Sequence, residues 1–116
     1  MATVLLLEPH AESARFYAQS LTRAGFRVET ITAEPERLDR AADLVVISVP
    51  RLERSFLRVF VDGLSVPRIV LSSEEADATR AAEFRCAAVL IRPVMYDDLV
   101  KVARRVLRNV AAEQLA

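Results

Sequence analysis

At 116 residues the chain has the length of one domain with one core, and its 53% apolar residues suit a folded interior. Its 16 basic residues balance 16 acidic ones. The basic surplus that phosphate-backbone binding needs is therefore missing, which excludes nucleic acid as the main partner. One cysteine, Cys86, and one histidine, His10, exclude a disulfide framework and a His/Cys zinc cluster.

In chain order, the first apolar run is Val4–Leu7, too short for a signal peptide or a membrane span, so a cytoplasmic location without membrane contact is expected. A helical stripe follows at Ala14, Tyr17, Ala18, Leu21 and Ala24, with Gly25 placed as a left-handed helix stop. Val28–Ile31 is mixed in character and suits an edge strand. Pro35–Ala42 is rich in alanine and charge and is expected to be a weak, exposed segment. The run Leu44–Ile47 comes next, then a stripe at Phe56, Val59, Phe60 and Leu64, then the run Ile69–Leu71. Glu74–Phe84 predicts a second weak and exposed helix. Cys86, in an apolar stretch before the last run, Ala88–Ile91, predicts a small buried hydrophobe. The clearest stripe, Leu99, Val102, Ala103, Val106 and Val110, marks the last helix, and an alanine-rich tail follows from Asn109.

Four of the five runs lack polar alternation, the pattern of strands buried on both faces of a parallel sheet. Strands alternating with helices imply right-handed crossovers. The expected architecture is an α/β fold: a flavodoxin-like, doubly wound five-stranded parallel sheet in the order 2-1-3-4-5, with helices on both faces and one domain over residues 1–116. Function in such sheets gathers beyond the carboxyl ends of the strands. There the sequence places Glu8, Pro9 and His10, then Ser48, Val49 and Pro50, then Ser72 and Ser73, and last Arg92 and Pro93.

Taken together, VLLLEPH, LTRAGFRVET, ADLVVIS, VPRIVLSS and AAVLIRPV resemble, in order and spacing, the strand ends of response-regulator receiver domains in two-component signalling. The resemblance implies a (βα)5 fold and a phosphorylation pocket at the strand edge. At that pocket the family's acidic pair is replaced by Glu8 and Pro9, its phosphoacceptor aspartate by Ser48 and its lysine by Arg92. The switch hydroxyl is kept as Ser72, the coupled aromatic on strand five is Val89, and Pro93 is retained, implying a cis peptide bond before it.

These replacements predict a degenerate pocket. Mg²⁺ needs anionic oxygens, and Glu8 alone supplies a carboxylate, so neither a metal site nor another cofactor is expected. Ser48 has no adjacent base to activate its hydroxyl and reads as a small polar residue closing a strand. A Glu8–Arg92 ion pair is a candidate to fill the vacated pocket. The serine context VISVP lacks the nucleophile elbow of hydrolases, and two glycines, Gly25 and Gly63, allow no phosphate-cradling loop. No enzyme activity is expected.

The resemblance also implies an output and dimerisation face on the fourth helix, strand five and the last helix. The fourth segment is acidic on its outer positions (Glu74, Glu75, Asp77, Glu83), and the last helix is basic at Lys101, Arg104, Arg105 and Arg108. Val94, Met95 and Tyr96 are the candidate apolar anchors. The leading expectation is a phosphorylation-independent, receiver-like interaction module of bacterial signalling, binding another signalling protein, itself, or both. The alternatives are a working receiver in a phosphorelay and a structural or small-ligand module.

Overall fold

Thr3–Leu7 forms β1, and its side chains alternate between two cores because successive strand residues point to opposite faces. Val4 and Leu6 enter one apolar cluster, Leu5 and Leu7 the other. The same division runs through β3 (Leu44–Ser48) and β4 (Arg68–Ser72). Leu44, Val46, Ile69 and Leu71 share the first cluster; Val45, Ile47 and Val70 share the second. Burial on both faces explains why these runs carry no polar alternation.

The computed structural model describes residues 1–32, 41–53 and 66–115. Five parallel strands form one sheet in the order β2-β1-β3-β4-β5, as expected, with β2 at Arg27–Ile31 and β5 at Ala88–Ile91. In register, Leu7 stands beside Ile47, Ser48 beside Leu71, and Ser72 beside Ile91. The carboxyl ends of β3, β4 and β5 therefore form one continuous ledge.

The predicted first helix is α1, Ala11–Arg23, and its apolar stripe buries Ala14, Tyr17 and Leu21. It stops where Gly25 takes φ +100, a conformation that L side chains rarely adopt. The Gly25 N–H donates to the Thr22 carbonyl at 3.0 Å and the Phe26 N–H to the Leu21 carbonyl at 3.1 Å. These are the paired bonds of a Schellman cap, and Phe26 and Leu21 then share the first core cluster. The last helix, α2 (Tyr96–Leu115), buries Leu99, Ala103 and Val106 on that same face. It continues through the alanine-rich tail. No helix among the described residues is long and apolar enough to cross a membrane.

Three expectations need correction. Glu74–Phe84 is not an α-helix: it is a short 3-10 helix, Glu75–Thr79, followed by turns. This segment covers the second face, where Phe84 and Cys86 pack on β3 and β4. Nor is β5 buried on both faces. It is the second edge of the sheet, so Val89, Leu90 and Ile91 are only half-buried. Asp77, expected on an outer position, is 1% exposed. The stripe at Phe56–Leu64 and most of Pro35–Ala42 lie outside the described residues.

Candidate functional site

Arg92 follows β5, and its backbone N–H donates to the Ser72 carbonyl at 2.8 Å, continuing the ladder one step past the strand. From there its side chain crosses the end of β4 and reaches β3. Nη1 donates to Ser48 Oγ and, at 3.1 Å, to the Leu71 carbonyl. Nη2 donates to the Val49 carbonyl and, at 2.8 Å, to Ser73 Oγ. Nε donates to Ser73 Oγ at 3.0 Å. A guanidinium has five N–H donors in a fixed fork, and each here finds an acceptor. One side chain thus ties together the ends of three strands.

The expected Glu8–Arg92 ion pair is absent: Arg92 spends its donors on hydroxyls and carbonyls instead. Glu8 is 4% exposed, and its Oε1 accepts the His10 N–H at 3.0 Å, closing the turn into α1. Both groups lie near the Tyr17 phenol. Burial pushes the Tyr17 hydroxyl above its usual range, the negative Glu8 adds to that, and the positive Arg92 opposes it. Tyr17 was legible only as a helix-stripe residue, because nothing in a 3.6-residue period says where its hydroxyl points.

Ser72, wholly buried, turns the other way. Its hydroxyl donates to Asp77 Oδ2 at 2.7 Å and accepts the Glu74 N–H at 3.1 Å. Asp77 Oδ2 also accepts the Leu52 N–H at 2.8 Å, and Oδ1 accepts from Arg80 Nη1 at 3.1 Å. Burial by itself raises the Asp77 pKa, yet the hydrogen bonds from Leu52, Ser72 and Arg80 outweigh it and hold the carboxyl below its usual range. Arg80 in turn stacks over the Phe84 ring at 4.7 Å. The sequence does not set Asp77 apart, since it stands in a run of acids. Its distinguishing feature is that the loop folds back onto β4.

Of the remaining predicted positions, Pro9 and Pro93 are exposed, Ser48 and Arg92 are half-buried, and the Arg92–Pro93 peptide bond is cis. Among the described residues no group of three or more His, Cys, Asp or Glu is gathered in a way that could hold a metal ion. The ledge therefore pairs one buried carboxylate with a fully bonded guanidinium that occupies the space above Ser48.

The predicted interaction face divides. Val94 is 8% exposed and belongs to the first core, so it is no surface anchor. Met95 and Tyr96 are exposed at 61% and 50%. Lys101 and Arg105, with Leu90, Ile91, Pro93, Asp98 and Val102, line a groove of about 300 Å³ between β5 and α2. Arg104 points elsewhere, donating to the Ala24 carbonyl at the end of α1 at 3.2 Å. Glu75 is exposed on the 3-10 segment.

No family model and no curated protein matches the chain. Solved structures do match it. A response regulator receiver domain protein from Clostridium thermocellum superposes with a TM-score of 0.78 at 16% identity, over 100% of both chains. A CheY-like receiver domain protein from Methanospirillum hungatei JF-1 gives 0.81 at 13% identity, over 97% of this chain and 98% of that one. The receiver domain of the Francisella response regulator 1452 gives 0.78 at 15% identity, over 94% and 98%. With its parallel sheet in the order 2-1-3-4-5, the chain has the fold of the response-regulator receiver domains.

Proposed function

We propose that residues 1–116 form one receiver-like domain that works without phosphorylation, as a protein–protein interaction module in two-component-type signalling in the bacterial cytoplasm. The observation that carries this reading is the seat of Arg92, whose guanidinium donates to Ser48 Oγ, Val49 O and Leu71 O. A fixed positive charge above Ser48 opposes a divalent cation in the same space. Among the described residues no three His, Cys, Asp or Glu side chains gather there, too little for a hard ion that prefers several anionic oxygens. The Ser48 hydroxyl accepts from Arg92, and among the described residues no base bonds to it. In this reading the degenerate pocket (Glu8, Pro9, Ser48, Ser72, Arg92, Pro93) is structural, and the domain carries out no catalysis and uses no cofactor.

The partner is another signalling protein or a second copy of the chain. It meets the surface formed by Glu75, Met95, Tyr96, Lys101 and Arg105. Arg104 is tied to Ala24 and takes a lesser part. Exposed ion pairs contribute only about 0–1 kcal/mol each, so Met95 and Tyr96 supply the apolar contact that charge alone lacks.

Intact-mass measurement after incubation with a small phosphodonor and Mg²⁺ tests the reading. No added phosphoryl group is expected, and Mg²⁺ with beryllofluoride is expected to leave the amide spectrum unchanged. An acid-labile mass increase of one phosphoryl group overturns it and makes the chain a working receiver.

A further inference from the structure

Arg92 carries a positive charge that no carboxylate among the described residues meets. Arg51 pairs with Glu53, and Arg80 with Asp77 and Glu83, and Arg92 takes part in none of these. Arg92 rests only on neutral acceptors, and its two edges differ. The inner donors are part-buried and anchored to Ser48 Oγ, Leu71 O and Val49 O, which fixes the plane of the guanidinium. The outer edge, Nε–H with one Nη2–H, is exposed, and both donors converge on the single Ser73 Oγ at 3.0 and 2.8 Å. That edge presents two parallel donors with the spacing of the two oxygens of an oxyanion, and charge-assisted pairs of this kind are about twice as strong as neutral hydrogen bonds. One hydroxyl oxygen occupies a place suited to two. Ser73 is exposed, and rotation to another staggered χ1 well clears the edge.

We infer that the outer edge of Arg92 is a docking point for a carboxylate of a partner protein, with the Ser73 hydroxyl as its placeholder in the free chain. The inference rests on the interaction-module reading and extends it to the ledge itself. The anchored inner edge means that little side-chain freedom is lost on binding. The surroundings select the charge of the ligand. Glu74 is exposed one residue beyond Ser73, and Arg51 near it is already engaged by Glu53 at 2.6 Å. This rim repels a dianion more than a monoanion, which favours a carboxylate over a phosphate. Glu8, buried at the end of β1 beside β3, adds to this preference for a single negative charge.

The test titrates the isotopically labelled chain with sodium acetate, with sodium chloride at matched ionic strength as the control, and follows the Arg92 Nε–Hε resonance. A saturable shift with acetate and none with chloride is expected, in the millimolar range or weaker, about the reach of a single small contact. Ser73→Ala removes the placeholder and is expected to tighten acetate binding at least about threefold. Arg92→Lys, its fold checked by the amide spectrum and its binding followed by the Ser73 and Glu74 amide resonances, is expected to abolish saturation. Equal responses to acetate and chloride overturn the inference, as does an unchanged affinity in Ser73→Ala. Tighter binding of inorganic phosphate at pH 8 than of acetate overturns the carboxylate assignment. Phosphorylation of the chain is read separately by mass, so failure of the interaction-module reading and failure of this site are told apart.

Discussion

The Ser72 hydroxyl donates to the Asp77 carboxylate at 2.7 Å, and both side chains are almost wholly buried. This bond turns Ser72 away from the strand-edge pocket and fastens the 3-10 segment to the end of β4. Asp77 takes the Leu52 N–H as well, so one carboxylate joins the loops that follow β3 and β4. The ledge is thus held from two sides, by Arg92 above and by Asp77 behind.

Removing that carboxylate should be costly. Asp77→Ala leaves the buried Leu52 N–H without its acceptor and the Ser72 hydroxyl with only a long bond of 3.4 Å to the Pro50 carbonyl, and groups of this kind cost about 1–3 kcal/mol each when unsatisfied. We expect a loss of about 2–4 kcal/mol in urea unfolding. Asp77→Asn keeps one acceptor oxygen and should lose less. A loss below that of an exposed control such as Glu113→Ala would show that the network contributes nothing.

Asp77 also predicts the direction of acid sensitivity. Its folded pKa lies below that of the unfolded chain, because the hydrogen bonds to the carboxylate outweigh burial. The unfolded chain therefore takes up the proton first as pH falls. The stabilisation is complete above the unfolded value of about 3.9 and is lost as pH falls from there through the folded pKa. Urea midpoints measured below pH 5 should fall more steeply for the wild type than for Asp77→Asn. Parallel curves would refute the assignment.

Cys86 behaves in the opposite sense. Burial pushes its thiol pKa up to about 11, with the nearby positive Arg68 opposing the shift. At pH 8 only about one thiol in a thousand is then ionised. A disulfide reagent should label the native chain far more slowly than the unfolded one. Because the folded state holds the proton to higher pH, stability should decline as pH rises from about 8.5 towards 11. Rapid native labelling would contradict this.

The guanidinium geometry of Arg92 predicts that lysine is a poor substitute. An ammonium is a compact donor that cannot bridge Ser48, Val49 and Leu71 together. Arg92→Lys should cost about 1–3 kcal/mol in urea unfolding, by leaving acceptors unmet. Equal stability would mean that Arg92 is replaceable by charge alone.

The helix faces give a packing control. Leu99 on α2 is wholly buried, while Leu115 on the same helix is 90% exposed. Leu99→Ala should cost about 3–5 kcal/mol through lost burial and a cavity. Leu115→Ala should stay within about 0.5 kcal/mol of wild type. Thermal or urea unfolding separates the two directly.

By itself the sequence determined the sheet. Unbroken apolar runs at Val4–Leu7, Leu44–Ile47 and Ile69–Leu71 have no stable place except between two layers, and a glycine at position 25 ends α1 because few other residues tolerate its backbone angle. It also marked the ledge residues, since strand ends can be read from where apolar runs stop. Tertiary structure alone decided how those residues pair. Arg92 could have met Glu8, and Asp77 could have faced water. Both outcomes depend on three-dimensional reach across the strand ends, where donors find the nearest acceptors regardless of chain distance: 44 residues separate Arg92 from Ser48, and 25 separate Asp77 from Leu52. Local pattern encodes burial and period, but it carries no record of which polar group a folded loop brings within 3 Å of another.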